Sequence, residues 1–292
     1  MRSSFLCSIA VVAAGLAFSS VALVAQTAAP ADPKKGTPQY DAGAFERGEV
    51  GPGGPAPVHD LTGSWQGLME AALTNHVPPM TPAGQARLKQ NIPDPFSVSS
   101  NDPWKTCDPF GMPRAANNQT GEIGFAPMPN RTVLLEGFER IWRDVWTDGR
   151  QLPKNVGHKG GPSSLYFGYS VGHWEGDTTF VVETVGMDPT TWVDRRGYPH
   201  SVDAKVTQRF TRVDRNHMNL EETLDDPVYY TQPFLLAKNS YRWIQMQDDP
   251  SKVAVPFQGE SLCIPSNAIE YMKLIAEPGD EDAVTGNKKP KK

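Results

Sequence analysis

The strongest constraint on the fold is a run of short segments, from Arg131 onwards, in which apolar and polar residues alternate. Alternation with a period of two is typical of strands that bury one face. The segments are separated by turn sequences, and Glu175–Gly176–Asp177 has the chemistry of a tight hairpin turn. The predicted strands are LTGSWQGL (61–68), RTVLLEGF (131–138), ERIWRDVWT (139–147), LYFGYSVGHW (165–174), TTFVVETVGM (178–187), DAKVTQRFTRV (203–213), MNLEETLDD (218–226) and NSYRWIQMQ (239–247).

These segments predict an all-β fold, an antiparallel sheet closed into a lipocalin-like barrel, with a β-sandwich as the alternative. One short helix is expected in MTPAGQARLKQN (80–91), because Thr81 can cap it and Pro82 suits its first turn. Residues 92–130 are rich in proline, asparagine and glycine and are predicted to form a long loop. Gly63-x-Trp65 resembles the opening motif of lipocalin-like barrels, where the tryptophan packs across the barrel floor, although an edge strand can carry the same residues.

The ends of the chain differ in composition from the strand-rich part. A single Arg2 precedes a short apolar stretch, which predicts a signal peptide over residues 1–25, with an uncleaved membrane anchor as the alternative. Residues 26–59 are rich in Ala, Pro and Gly and are expected to be a disordered linker. The barrel domain is assigned to residues 60–275 and a disordered tail to 276–292. We therefore expect a periplasmic or secreted protein with no stable membrane span after cleavage.

Charge and cysteine content narrow the choice of partners and compartment. The net charge of −5 and the pI near 5.7 argue against a nucleic acid partner. Export leaves Cys107 and Cys263 as the only two cysteines, and an even pair in an oxidising compartment favours a disulfide. The bond would close a loop of about 157 residues and stabilise the fold by roughly 4–5 kcal/mol in the chain-entropy treatment. Two separate buried thiols are the alternative.

A first candidate site lies around the DGR turn. Arg143, Asp148 and Arg150 lie close in sequence to Trp142 and Trp146. An arginine can bind a carboxylate through two hydrogen bonds, and tryptophan rings offer a stacking surface for an aromatic ligand. The alternative is structural: Asp148 forms the turn and Arg143 pairs with an acid on a neighbouring strand.

A second candidate site lies in the loop that contains Tyr198, His200 and Asp203. A histidine with a nearby carboxylate to orient it can act as a general acid or base. We therefore assign His200 as the proton-transfer residue and Asp203 as its partner, with a plain surface-loop histidine as the alternative. Tyr198 is assigned to ligand binding, together with Tyr169 on an earlier strand.

Cofactor motifs do not appear in the sequence. The six histidines are scattered, with no pair two or four residues apart, so we predict no metal. The chain contains neither a Gly-x-Ser-x-Gly motif nor a phosphate loop or dinucleotide fingerprint. The expected cofactor set is therefore empty.

Several longer stretches carry a family resemblance. WTDGR (146–150), GYSVGHWEGDTTFVVETVG (168–186), WVDRRGYPHS (192–201) and VTQRFTRVD (206–214) resemble a widespread group of secreted bacterial proteins of unknown function. The segment from Cys107 to Pro113 and a cysteine near the C-terminus fit the same group, and the resemblance covers residues 60–265. It implies export and a β-rich fold without naming an activity. Two positions depart from the group's pattern, because Val202 follows His200-Ser201 where an acid is common and Gln208 stands where glutamate is common.

The sequence therefore supports two functional hypotheses, with a structural envelope protein whose barrel is filled and has no pocket as a third alternative. The first is an exported, cofactor-independent enzyme of lyase, isomerase or hydrolase type, acting on a hydrophobic or aromatic small molecule in the barrel. In this hypothesis Arg143 or Arg150 holds developing negative charge. The second is a non-catalytic periplasmic binding protein for a similar ligand, which the departures at Val202 and Gln208 favour.

Overall fold

The fold is an all-β barrel of nine strands, seen in a computed structural model that describes residues 53–67, 77–93, 99–117, 122–137, 141–244 and 263. All of these residues belong to one compact unit that begins at Val50. The strands are β1 (Gly63–Gly67), β2 (Glu122–Met128), β3 (Arg131–Glu136), β4 (Ile141–Trp146), β5 (Tyr169–Glu175), β6 (Thr179–Val185), β7 (Lys205–Arg212), β8 (His217–Asp225) and β9 (Phe234–Trp243).

The nine strands follow one another around the barrel in chain order, and β9 closes the sheet by pairing with β1. This closure confirms the predicted barrel and excludes the β-sandwich. Neighbouring strands are antiparallel with one exception. β4 and β5 run parallel and share only two residue pairs, Val145 with Ser170 and Trp146 with Val171. The long connection 147–168 makes this arrangement possible, because a parallel neighbour cannot be reached by a tight hairpin turn.

The predicted helix is confirmed as α1 (Pro82–Leu88), and the Thr81 side chain accepts a hydrogen bond from the backbone N–H of Gly84. A 3₁₀ turn spans Pro103–Thr106 and a single helical turn, α2, spans Arg114–Asn117. The prediction that residues 92–130 form only a loop is wrong, because β2 lies within them. β2 is difficult to predict from the sequence because it contains Gly124 and Pro127, and both residue types are unfavourable in strands.

The barrel interior contains two apolar clusters. The first cluster includes Trp65, Phe125, Phe180 and Phe210, and the Trp65 indole donates a hydrogen bond to the Leu61 carbonyl. The guanidinium of Arg212 lies 4.9 Å from the centre of the Trp65 ring and donates to the Asp60 carbonyl. The tryptophan of Gly63-x-Trp65 is therefore fully buried in the barrel core.

The second apolar cluster lies further along the same strands. It joins strand residues such as Val206, Leu224 and Leu236 to residues from the connecting segments, among them Met112 and Met187. Within the residues described, segments 77–117 and 187–204 contribute to this cluster. Inside the barrel, apolar side chains therefore form two separate layers, one above the other along the strands.

One covalent bond and one set of contacts fix segments that lie outside the barrel strands. Cys107 and Cys263 form the predicted disulfide bond. Residues 53–59, which fall within the predicted linker, contact the barrel: His59 stacks on Trp174 and donates its backbone N–H to the Asp177 carbonyl. The predicted signal peptide (1–25), the linker up to residue 52 and the tail (276–292) lie outside the described residues.

In the portion of the chain that the structure covers, no helix is long and apolar enough to cross a membrane.

Candidate functional site

A layer of polar side chains separates the two apolar clusters inside the barrel. On β7, Gln208 lies between Val206 of the second cluster and Phe210 of the first. On β8, Glu222 occupies the corresponding place between Leu220 and Leu224. We call this layer the interior polar belt. Its members are Glu136 on β3, Arg143 on β4, Ser170 on β5, Thr184 on β6, Gln208 on β7, Glu222 on β8, and Asn239 and Tyr241 on β9, and all are buried.

Arg143 is the cation of the belt. Its Nη1 donates to the Thr184 hydroxyl at 3.3 Å, and its Nη2 donates to the Gln208 side-chain oxygen at 2.7 Å. The same Nη2 lies 3.5 Å from the Glu136 carboxylate. Thr184 in turn lies 2.9 Å from the Ser170 hydroxyl. A buried charge needs partners of this kind, because transfer of an unpaired ion out of water is very costly.

Gln208 connects the cation to a second buried carboxylate. Its side-chain oxygen accepts from Arg143, and its Nε2 donates to Glu222 at 2.7 Å. The amide therefore has a fixed orientation, with its oxygen towards the cation and its nitrogen towards the anion. Both Gln208 and Glu222 are fully buried.

Three polar atoms of the belt are buried without a hydrogen-bond partner: Glu136 Oε1, Arg143 Nε and Asn239 Oδ1. Such atoms are rare in folded proteins and call for an explanation, such as local strain, a catalytic role, or a bound water or ion. Glu136, Arg143, Asn239 and Tyr241 keep between 4 and 7% of their surface exposed, whereas Gln208 and Glu222 keep none. The residues that carry these atoms are thus slightly less buried than Gln208 and Glu222.

Burial shifts the pKa values of three belt residues. Loss of hydration raises the pKa of Glu136 above its usual range, and the Arg143 charge opposes this increase. Burial also lowers the pKa of Arg143, with Glu136 and Glu222 acting in the opposite direction. The pKa of Tyr241 is raised by burial, and the two glutamates add to the increase. Carboxyl groups with raised pKa values are common among catalytic acids and bases.

The first predicted site is divided between the interior and the exterior of the barrel. Arg143 points inwards, and Asp148 binds Arg150 in an exposed turn with a shortest contact of 2.6 Å. The Arg150 guanidinium stacks on Trp146 at 3.5 Å from the ring centre. Trp142 lies on the outer face of β4 and is 69% exposed. Of this group, only Arg143 belongs to the belt.

The second predicted site is also divided. His200 is fully buried, with Nδ1 3.1 Å from the Ser201 carbonyl and Nε2 2.8 Å from the Thr191 hydroxyl. Asp203 instead contacts His158 at the surface at 2.6 Å. The predicted pairing of Asp203 with His200 is therefore not what the structure has, since the imidazole nitrogens of His200 face other groups.

The two tyrosines assigned to ligand binding lie apart from the belt. The Tyr169 hydroxyl donates to the Ser163 carbonyl at 2.9 Å. Tyr198 packs against the second apolar cluster, with the Arg196 guanidinium 5.1 Å from its ring centre. Both contacts are compatible with a structural role in the connecting segments.

Most of the belt was missed by sequence reasoning, although a signal exists. In V-x-Q-x-F (206–210) and L-x-E-x-L (220–224), a polar residue occupies the inward register that apolar residues otherwise fill. A polar residue in the apolar phase of a strand predicts a buried polar group.

Over the described ranges, no group of three or more His, Cys, Asp or Glu residues is placed to hold a metal ion. The chain matches no protein-family model and no curated protein sequence. The family resemblance of the WTDGR and WEGD motifs therefore stays a prediction.

Proposed function

We propose that the protein is an exported, cofactor-independent enzyme that carries out acid–base chemistry on a hydrophobic or aromatic small molecule inside the barrel. The reaction class is that of a lyase, isomerase or hydrolase. The observation that carries the proposal is the buried carboxyl of Glu136 beside Arg143, in a layer that contains three buried polar atoms without a hydrogen bond. A purely structural interior would be filled by apolar side chains at lower cost.

In this proposal Glu136 transfers the proton. Its raised pKa brings the carboxylate closer in basicity to the groups that it must deprotonate near neutral pH. Arg143 stabilises the negative charge that develops on the substrate, because its charge acts at short range in a site with little water. Gln208 holds Arg143 in position. His200, with both nitrogens engaged, keeps the loop in place and does not transfer the proton.

The experiment is a screen of aromatic metabolites that records both product formation and quenching of tryptophan fluorescence. For any substrate found, Glu136→Gln is expected to lower kcat by about 10²- to 10⁴-fold, the usual contribution of a general base. Trp142→Ala, on the outer face, is the matched control and should retain wild-type turnover. Full activity of Glu136→Gln would contradict the assignment.

The pH profile supplies a second control. Burial raises the pKa of Glu122 to about 7, but Glu122 alternates with the inward Ile123 and so lies on the outer face of β2. Glu122→Gln should therefore leave the activity–pH profile unchanged, whereas Glu136→Gln should remove its acidic limb.

A non-catalytic binding protein is the second candidate. It is favoured by Gln208, because a glutamine amide cannot transfer a proton where a glutamate could. Fluorescence quenching without product across the whole metabolite panel would favour binding over catalysis.

A further inference from the structure

We infer that the ligand of the interior polar belt is uncharged and carries a hydrogen-bond donor beside an acceptor, as a primary amide does, and that carboxylates are rejected. The inference rests on the proposed function and deepens it by naming the ligand class. It reverses the expectation from sequence that Arg143 recognises a carboxylate. Three independent features of the belt support it.

The first feature is the set of groups to which the Arg143 guanidinium donates hydrogen bonds. Nη1 donates to Thr184, and Nη2 donates to Gln208 and lies 3.5 Å from Glu136. Only Nε is buried without a partner. Arginine usually recognises a carboxylate through two parallel N–H groups. Both terminal nitrogens already donate within the belt, whereas the single N–H of Nε is without a partner and suits one carbonyl oxygen.

The second feature is the surplus of acceptors. Asn239 Oδ1 is buried with no hydrogen-bond donor, and Glu136 Oε1 has only Arg143 Nη2 beside it, at an ion-pair distance of 3.5 Å. Both oxygens can accept a hydrogen bond from a ligand with N–H or O–H groups, and an ionised carboxylate has none. A ligand with one carbonyl and one amino group can accept from Arg143 and donate to Glu136 or Asn239.

The third feature is charge. The belt already contains two carboxyl groups, Glu136 and Glu222, and one cation, Arg143. The other buried arginine of the barrel interior, Arg212, is engaged by the carbonyls of Asp60 and Arg215. A carboxylate ligand would therefore add a third acid near a single cation, and like charges in a low-dielectric site repel strongly.

The apolar part of the ligand is expected to face the first apolar cluster. Phe125 and Phe210 meet there edge to face, with their ring centres 5.1 Å apart. Aromatic rings are well accommodated against such neighbours. Benzamide combines a small ring with a donor and an acceptor, so it is the probe of choice.

The test compares three probes that share the ring and differ in the polar group: benzamide, benzoate and benzylammonium. Dissociation constants are measured at pH 7 by NMR titration of the full-length protein. Benzamide is expected to bind at least about tenfold more tightly than either ion, a difference of about 1.4 kcal/mol. Trp142→Ala should bind benzamide as the wild type does.

Glu136→Gln then tests the role of charge directly. Glutamine keeps an acceptor oxygen but removes the negative charge, so benzoate is expected to gain affinity and the preference for benzamide to narrow. An unchanged ratio of the two dissociation constants would overturn the charge argument.

The outcomes separate the two proposals. Tighter binding of benzoate or benzylammonium to the wild type would overturn the ligand class while leaving a binding site in the barrel. Binding of none of the three probes, together with an inactive metabolite screen, would overturn both the ligand class and the proposed function.

Discussion

His200 illustrates how burial changes the role of a residue that sequence alone marks as catalytic. Its loop position and the nearby Asp203 predict an accessible general base, but the side chain is fully buried against Thr191 and Ser201. Ser201 is itself held by two hydrogen bonds to the buried carboxylate of Asp226. The sequence could not indicate this environment, because Asp226 lies on a segment far along the chain.

The buried His200 predicts a pH dependence of stability. Burial lowers its pKa in the folded protein, whereas the unfolded chain has a pKa near 6.5. As the pH falls below about 6.5, the unfolded state binds the proton first, so the free energy of unfolding decreases by up to about 1.4 kcal/mol per pH unit. Urea unfolding at pH 5, 6 and 7 measures this slope.

The control for this slope is a histidine at the surface. His200→Asn should flatten the pH dependence, while His173→Gln, at a side chain that is 52% exposed, should retain the wild-type slope. An identical slope in His200→Asn and the wild type would contradict a neutral, buried imidazole.

At the scale of the strand, local pattern predicts most of the barrel and fails where the decisive contacts are distant. β6, β7 and β8 have clear alternation and glycine- or asparagine-containing turns, and all three were predicted. Alternation in ERIWRDVWT (139–147) divides β4 into two faces, but it cannot show that the Arg143 face points inwards. The parallel pairing of β4 with β5 depends on a long connection, so no local sequence pattern predicts it.

The junction of β4 and β5 is packed around a glycine. A Cβ atom at Gly172 would lie 2.5 Å from the Phe180 ring and 2.7 Å from the Val145 side chain. Gly172→Ala is therefore expected to destabilise the protein by about 1–3 kcal/mol through overpacking. Chemical denaturation measures the change, with Val171→Ala on the opposite face of β5 as the control. Equal stability of Gly172→Ala and the wild type would show that the space around Gly172 accommodates a methyl group, and would contradict the close packing of this junction.

At the scale of the whole molecule, the disulfide joins two distant parts of the chain. Cys107 and Cys263 are separated by 156 residues. Replacing both with serine is expected to lower the free energy of unfolding by roughly 4–5 kcal/mol, because the unfolded chain regains the freedom of a long loop. Thermal unfolding with and without reductant measures this effect. The double variant itself should be insensitive to reductant, and a wild type that is equally insensitive would contradict the role of the bond.

The overall arrangement places polar groups where the barrel is best shielded from water. Apolar clusters lie on both sides of the belt, so Glu136, Arg143 and Glu222 interact in a medium of low dielectric constant. Burying these charged groups lowers the stability of the folded protein, but it also strengthens the electrostatic interactions between them. Functional sites often combine these two effects. The sequence predicted the barrel that creates this interior, but only Arg143 among the belt residues was assigned to a site.

The most direct test of an interior binding site is to locate a bound ligand. Backbone amide NMR of the protein during a benzamide titration reports which residues respond. Shifts are expected at belt positions, including Glu136, Gln208 and Asn239, and these shifts should be lost in Arg143→Met. Shifts confined to the exterior face around Trp142 and Trp146, or shifts unchanged in Arg143→Met, would contradict an interior site.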